Sequence, residues 1–465
     1  MLTSHPHHDA AQANYRRDLG NGLILRWSTI EDTEKIAQLT SMVFRDKADD
    51  PPNASIMNEI RRLMRGDHPM MGSGDYGLIE DTSREGSPAV ACTCLWRNRW
   101  DYEGIRFDVG QPEIVGSDPA YRNRGLIRAL FEMVHARSEV EGHLVQGITG
   151  IPYFYRQFGY EYALALDGER SVYVSQIPRA KEGESEPYAL RPATEADVPF
   201  LQDLYNLRRT RGMISSIIPD KYWLYEIRHK ENSPEGRYPR IQMIVDSAGA
   251  TKGFVTVISA RRGKGADFVV FQPFDVLPDV NLHAMMPSVL RALLRYAEET
   301  PVSRRRPEQP TDPLRRLVLS LGTTHPVYDV LGQELTAYSQ PTYAWYIRVP
   351  DLPAFLRHIA PVLEQRLAGS VMGRYTGELR LNFYRGGLRM VFEQGHLATV
   401  ENWQAPIYEA NDSAGFPPLV FLKLLFGYRS LDELRHMYPD VWANSEGETL
   451  LNVLFPAKQS TVVPL

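Results

Sequence analysis

The residues best placed to do chemistry stand in a row. Arg122, Asn123, Arg124 and Gly125 lie within "SDPAYRNRGLIRALFEMV", Ser117 to Val134. Behind them Leu126, Ile127, Leu130, Phe131 and Val134 recur at helical spacing, so a helix is expected to begin near Gly125. The first N–H groups of a helix have no partner inside it, and its dipole favours negative charge there. Two guanidiniums beside such an end, with a glycine that lets the backbone come close, fit an anion the size of a phosphate.

Other reactive side chains carry weaker signals. Cys92 and Cys94 in "AVACTCLW" read as a strand that turns both thiols to one face, as buried structural thiols. With no third cysteine, they fall short of a zinc set. "HPHHD", with His5, His7 and His8, reads as a frayed tail. Asp46, Asp49 and Asp50 in "FRDKADD" read chiefly as a solvated loop that could also serve a substrate through water. Trp96, Trp100 and Tyr102 in "CLWRNRWDYEG" read either as edge packing or as the lining of a pocket for an amine-bearing molecule.

The elements that must position these groups come in two copies. "LRWSTIEDTEKIAQL" from Leu25 and "LRPATEADVPFLQDL" from Leu190 share L-R-x-[SA]-T-x-x-D and then become helical. "LIRALFEMV" from Leu126 matches "VLRALLRYA" from Val289, and "YRQFGYE" from Tyr155 matches "YDVLGQE" from Tyr328. The basic cluster Arg304 to Arg306 falls in a Pro- and Arg-rich surface loop. Where the first copy has Arg122 to Gly125 at its helix start, the second has Met285, Met286, Pro287 and Ser288. Proline has no N–H to offer and both arginines are gone, so an anion site is expected in the first copy alone. After about residue 343, "ELRLNFYRGGLRMVFEQGHLATVENW" reads as a hairpin and "FPPLVFLKLLFGYRSLDELRHMY" as one or two buried helices.

Composition narrows the function classes. A chain of 465 residues with 43% hydrophobic and 23% charged residues is an ordinary globular composition, long enough for several domains. A net charge of −5 gives no field for nucleic acid or an anionic membrane, and neither partner is expected. No apolar run approaches the roughly 18 residues of a spanning helix, and the first residues lack a signal-peptide centre. With two cysteines, a reducing, cytoplasmic setting is expected. No P-loop, nucleophile elbow, metal-spaced histidine pair or dinucleotide fingerprint occurs.

"VGSDPAYRNRGLIRALFEMV" followed by "GITGIPYFYRQFGYEYAL" resembles the GNAT acetyltransferase superfamily. Its pattern, Arg/Gln-x-x-Gly-x-Gly/Ala after a strand, is met by Arg122 to Leu126. It departs at Ile127, whose side chain must turn away from the phosphates. The layout resembles the Eis-like (enhanced intracellular survival) group. That resemblance implies a tail over 1–21, an active GNAT domain over 22–168, a degenerate one over 187–342 and a sterol-carrier-like domain over 343–465. The fold class expected is thus α/β (α+β), tandem GNAT-like mixed sheets before an α+β domain. It further implies acetyl-CoA as co-substrate, with its pantetheine arm along Val115, Gly116 and Ser117. Its pyrophosphate would lie on Arg122, Asn123, Arg124, Gly125, Leu126, Ile127 and Arg128. Tyr155 would protonate the departing thiolate, with Tyr153 competing for that role. The terminal carboxylate of Leu465 would act as base. The acceptor would be a small-molecule or lysine amine, the assembly a homo-oligomer, a hexamer, and no metal would take part. Two other readings stand beside this one: a coenzyme A sensor without turnover, and a carrier holding an apolar ligand in the C-terminal domain.

Overall fold

A computed structural model describes residues 7–166, 168–180, 183, 185–230, 239–258, 261–263, 266–300, 312–335, 338–340, 343–404 and 412–462. The chain divides into two compact units. One holds residues 1–164, 212–217 and 344–465, and the other holds 165–211 and 218–343.

The first unit is built on a mixed nine-stranded sheet. Its strands in chain order are β1 (Arg16–Gly20), β2 (Leu23–Trp27), β3 (Tyr76–Asp81), β4 (Ala89–Tyr102), β5 (Ile105–Ser117), β6 (Val145–Ile148) and β7 (Glu161–Leu166). β1 to β5 run antiparallel, and the helix Leu126–Val140 carries the chain over to β6, which lies parallel to β5. Two strands join from far along the chain. Tyr343–Arg348 inserts beside β6, and Ile214–Ser216 pairs with the far end of β4. The apolar face of Leu126–Val140 packs Leu126, Leu130, Met133 and Val134 onto Leu25, Ile79, Val90 and Leu95. Burial of each such side chain contributes about 1.5–3 kcal/mol.

The repeated Arg–Thr–Asp pattern has a structural cause. Arg26 grips Asp32 through two hydrogen bonds of 2.8 and 2.7 Å, and the Thr29 N–H donates to the same carboxylate at 2.8 Å. In the second unit Arg191, Asp197 and Thr194 repeat this, at 2.8, 2.7 and 2.8 Å. In each case the aspartate closes a capping box at the start of the first helix.

The second unit has a seven-stranded sheet of the same plan. Tyr188–Pro192, Pro239–Asp246, Thr251–Ile258 and Phe268–Val276 run antiparallel, then the helix Leu282–Glu299 leads to the parallel strand Arg316–Ser320. The C-terminal region has its own five-stranded sheet. In it Gly377–Asn382, Gly387–Glu393 and His396–Trp403 form a meander. The two expected helices of the apolar segment are Phe421–Leu425 and Leu431–Met437, followed by Ser445–Leu454. No described helix is long and apolar enough to cross a membrane.

Candidate functional site

A cleft of about 720 Å³ opens in the first unit where β5 and β6 part. They pair only at Val109–Val145 and Gly110–Gln146, and beyond Gly110 β5 leaves its neighbour. A β-bulge lies further along β5. Cys94 stands opposite Glu113 and Cys92 opposite Gly116, so Ile114 and Val115 share the place of one residue. Ile114 adopts φ 54°, a region that a β-branched residue reaches only under strain of about 1–3 kcal/mol. β4 holds the bulge. Thr93 Oγ1 donates to the Glu113 carbonyl at 3.0 Å, Cys94 Sγ to the same oxygen at 3.4 Å, and Cys92 Sγ to the Ile114 carbonyl at 3.8 Å. The two buried thiols are thus structural, and burial pushes Cys92 up to about 12.

The cradle follows directly. Asp118 accepts from the Ala120 N–H at 2.8 Å and caps a short turn, Pro119–Tyr121, which the Tyr121 hydroxyl ties to Asp81 at 2.5 Å. The chain then passes through extended Arg122, left-handed Asn123 (φ 62°) and left-handed Gly125 (φ 74°) before the helix begins at Leu126. A Cβ on Gly125 would meet nothing within 4 Å, so glycine is needed there for its φ and not for room. The N–H groups from Asn123 to Arg128 make no hydrogen bond among the described residues. These open donors suit an anion.

Val115, Gly116, Ser117, Arg122, Asn123, Gly125, Leu126, Ile127 and Arg128 all line the cleft. Arg124 does not. Its guanidinium folds back to the Ala120 carbonyl at 3.2 Å and lies over the Tyr121 ring at 4.9 Å, so it braces the turn. The half-buried Ile127 packs against both core clusters beside the helix, as its departure from the small-residue pattern requires.

Tyr155 reaches the cleft from the turn Phe154–Phe158. It is 5% exposed, among the rings of Phe131 at 5.8 Å, Phe154 at 5.1 Å and Tyr346 at 5.3 Å. Gly150, at the end of β6, admits it: a Cβ there would lie 3.1 Å from the Tyr155 hydroxyl and 2.9 Å from its ring. Tyr153, the competing tyrosine, is 73% exposed and does not line the cleft. Leu465 lies outside the described residues, as do His5 and Arg304 to Arg306.

Sequence reasoning missed Glu113. It sits at the fork between β5 and Thr149 and is the one carboxylate among the described lining residues. Burial pushes its carboxyl up to about 7. Hydrogen bonds from the Gln111 side chain, the Ile114 and Thr149 N–H groups and the Thr149 hydroxyl oppose the rise. Gln111 Nε2 donates at 2.9 Å and is itself bound by Asn98. The signal was present as a lone acid in "VGQPEIVG", next to a proline that marks an irregular strand. Trp96, Trp100 and Tyr102, in contrast, are core residues. Trp100 packs edge-on to Trp345 at 5.7 Å, and the Tyr102 hydroxyl donates to the Leu425 carbonyl at 2.8 Å. Asp46, Asp49 and Asp50 do not line the cleft either. Among the described residues no cluster of three or more His, Cys, Asp and Glu could hold a metal.

In the second unit the same features are closed. The helix begins at Leu282, capped by Asn281, and runs through Met285 to Ser288 without a break. Those four residues thus lie inside a helix and not at its start. Past Phe271 the strand Phe268–Val276 also leaves its parallel neighbour, yet the gap is filled. His325 donates from Nε2 to the Phe274 carbonyl at 3.0 Å. Burial holds that imidazole down to about 3, so it is neutral. Tyr328, the counterpart of Tyr155, donates to the Leu319 carbonyl at 2.6 Å and accepts from the Leu321 N–H at 3.1 Å.

Residues 25–163 match the family described as Acetyltransferase (GNAT) domain. No curated protein matches in sequence. Among solved structures, the chain is similar to a probable N-acyltransferase from Enterococcus faecalis V583. The TM-score is 0.64 at 14% identity, covering 95% of this chain and 99% of that one. A GCN5-related N-acetyltransferase from Kribbella flavida gives 0.61 at 16% identity, with 95% and 97% covered. Eis1 from Mycobacterium abscessus gives 0.57 at 13%, with 95% and 99% covered. These likenesses extend the shared fold across both units. Residues 25–163 thus form a domain of the GNAT acetyltransferase type, and the chain is an acyltransferase.

Proposed function

We propose that the first unit transfers an acetyl group from acetyl-CoA to a primary amine in the cleft between β5 and β6. The observation that carries this is a convergence. Unpaired strand edge, open amides, a tyrosine and a half-buried carboxylate all line one 720 Å³ space. GNAT acetyltransferases use acetyl-CoA. The cradle amides of Asn123 to Arg128, with Arg122 and Arg128, would hold its pyrophosphate. The unpaired edge at Val115 to Ser117 would bind the pantetheine amides as an added strand would.

The chemistry then falls to two residues. The ammonium of the acceptor loses a proton to Glu113, whose pKa of about 7 lets it be ionised and still basic near neutrality. The freed nitrogen attacks the thioester carbonyl, the C–S bond breaks as the tetrahedral oxyanion collapses, and Tyr155 gives its proton to the leaving sulfur; the nitrogen, cationic after attack, loses its second proton to solvent, from which the tyrosinate regains its own. Glu113 takes the place that a terminal carboxylate would otherwise fill. The C-terminal region, read as sterol-carrier-like, serves as scaffold in this account. Its interior is packed with Phe383, Phe416, Phe421 and Phe455, with ring separations of 5.3 to 5.7 Å around Phe421.

Acetyl-CoA turnover with an amine acceptor, measured for the parent and for Tyr155→Phe, tests the reading. Loss of rate with unchanged acetyl-CoA affinity is expected. Unchanged turnover would overturn the role given to Tyr155.

A further inference from the structure

We propose that the acceptor is a monoamine with an apolar body, and not a polyamine, an aminoglycoside or a lysine-rich peptide. The inference rests on the acetyltransferase reading and names what its cleft admits. Beyond the polar groups that hold Glu113, the wall of the cleft is largely apolar. Val43 and Phe44 come from the end of the helix Thr33–Val43, Ile56 from the helix Ala54–Leu63, and Ile151 and Phe154 from the segment after β6. Glu113 is the one acid among the described lining residues, and the charges at the cradle end, Arg122 and Arg128, are positive. One ammonium can therefore be matched. A second would be desolvated among isoleucines with no partner, or would meet arginines.

The rim gives an independent sign. Phe44 is 38% exposed and Ile151 is 59% exposed, two large apolar side chains at the mouth. An apolar substrate body would cover them, and a polar one would leave them wet. The acids nearest in the chain do not change this. Asp46, Asp49 and Asp50 share their loop with Arg45 and Lys47, and the Asp50 carboxylate accepts from the Lys47 N–H at 3.0 Å.

The test uses the whole chain. Acetyl-CoA binding is measured first by calorimetry, then kcat/KM for 2-phenylethylamine is compared with spermidine and kanamycin. 2-Phenylethylamine should be preferred by on the order of 100-fold, the factor expected when a second charge is buried unpaired. Ile151→Glu, at an exposed position, should shift the ratio at least about tenfold toward spermidine. If acetyl-CoA binds but spermidine or kanamycin is preferred, or no monoamine is turned over, this proposal is overturned while coenzyme A binding stands. If acetyl-CoA does not bind, the acetyltransferase reading itself fails and this proposal falls with it.

Discussion

The helices Leu126–Val140 and Leu282–Glu299 hold the same place in the two halves of the chain, yet they begin in different ways. The first is entered through extended and left-handed residues, and its opening residues line the cleft. The second extends back over the corresponding stretch and buries Met285, Met286 and Ser288. The same contrast holds at the parted strands, which frame a cleft in one half and are filled in the other by Phe274 and His325. It holds again at the tyrosines: Tyr155 lines a cleft, and Tyr328 is tied to backbone at both ends of its hydroxyl. What both halves kept is the Arg–Asp–Thr capping network. The features present twice serve folding, and the features present once are those the proposed reaction would use.

The contrast can be broken by substitution. The largest effect is expected from Gly125→Glu, which puts a strained and negative residue at φ 74° in the cradle. Acetyl-CoA affinity should fall by at least about 100-fold. His283→Glu, at the exposed helix start of the second half, should leave it unchanged. Paired calorimetric titrations check both. Tyr155→Phe should lower kcat by about 10²–10⁴ without weakening acetyl-CoA binding. Tyr328→Phe should leave kcat alone and lower stability by about 1–3 kcal/mol through its lost backbone hydrogen bonds, read by denaturant unfolding.

Glu113 gives a pH signature. In the proposed reaction its carboxylate form is the base, so kcat/KM should rise with pH through about 7, and Glu113→Gln should remove that rise. The same raised pKa has a stability consequence of definite sign. The folded state holds this proton more tightly than the unfolded chain, whose glutamates titrate near 4.5. The group's contribution is therefore fully present below that value and is lost as pH rises to about 7. Glu113→Gln should gain stability relative to the parent between pH 4.5 and 8, seen by melting temperature across that range. The smallest effect tests what the halves share. Arg26→Gln and Arg191→Gln should each destabilise by about 1–3 kcal/mol, with the Arg26 change larger because Arg26 also binds Glu80 at 3.0 and 2.9 Å.

Much of this was legible in the residues, and the reasons it stopped are physical. Gly125 marked the start of the helix, but its reason is the left-handed φ of 74° and not the close backbone approach that its type suggested. The repeat showed itself because the capping network needs the same three side chains at the same spacing in both halves. The bulge did not, because Ile114 is a residue whose propensity argues against φ 54°. The strands Ile214–Ser216 and Tyr343–Arg348 join the first sheet from far along the chain, a pairing no local pattern carries. Arg124 matched an expected phosphate ligand by type, and only the geometry shows it bracing Tyr121. Glu113 was visible as a lone acid, but its chemistry comes from burial, which the strand's neighbours set.

Coenzyme A is expected to bind at one site per chain, in the first half alone. Calorimetric titration of the chain with acetyl-CoA measures this directly, with Gly125→Glu and His283→Glu as companions. A stoichiometry of one, abolished by the first substitution and kept by the second, is the expected result. Two sites per chain, or one that survives Gly125→Glu, would contradict it.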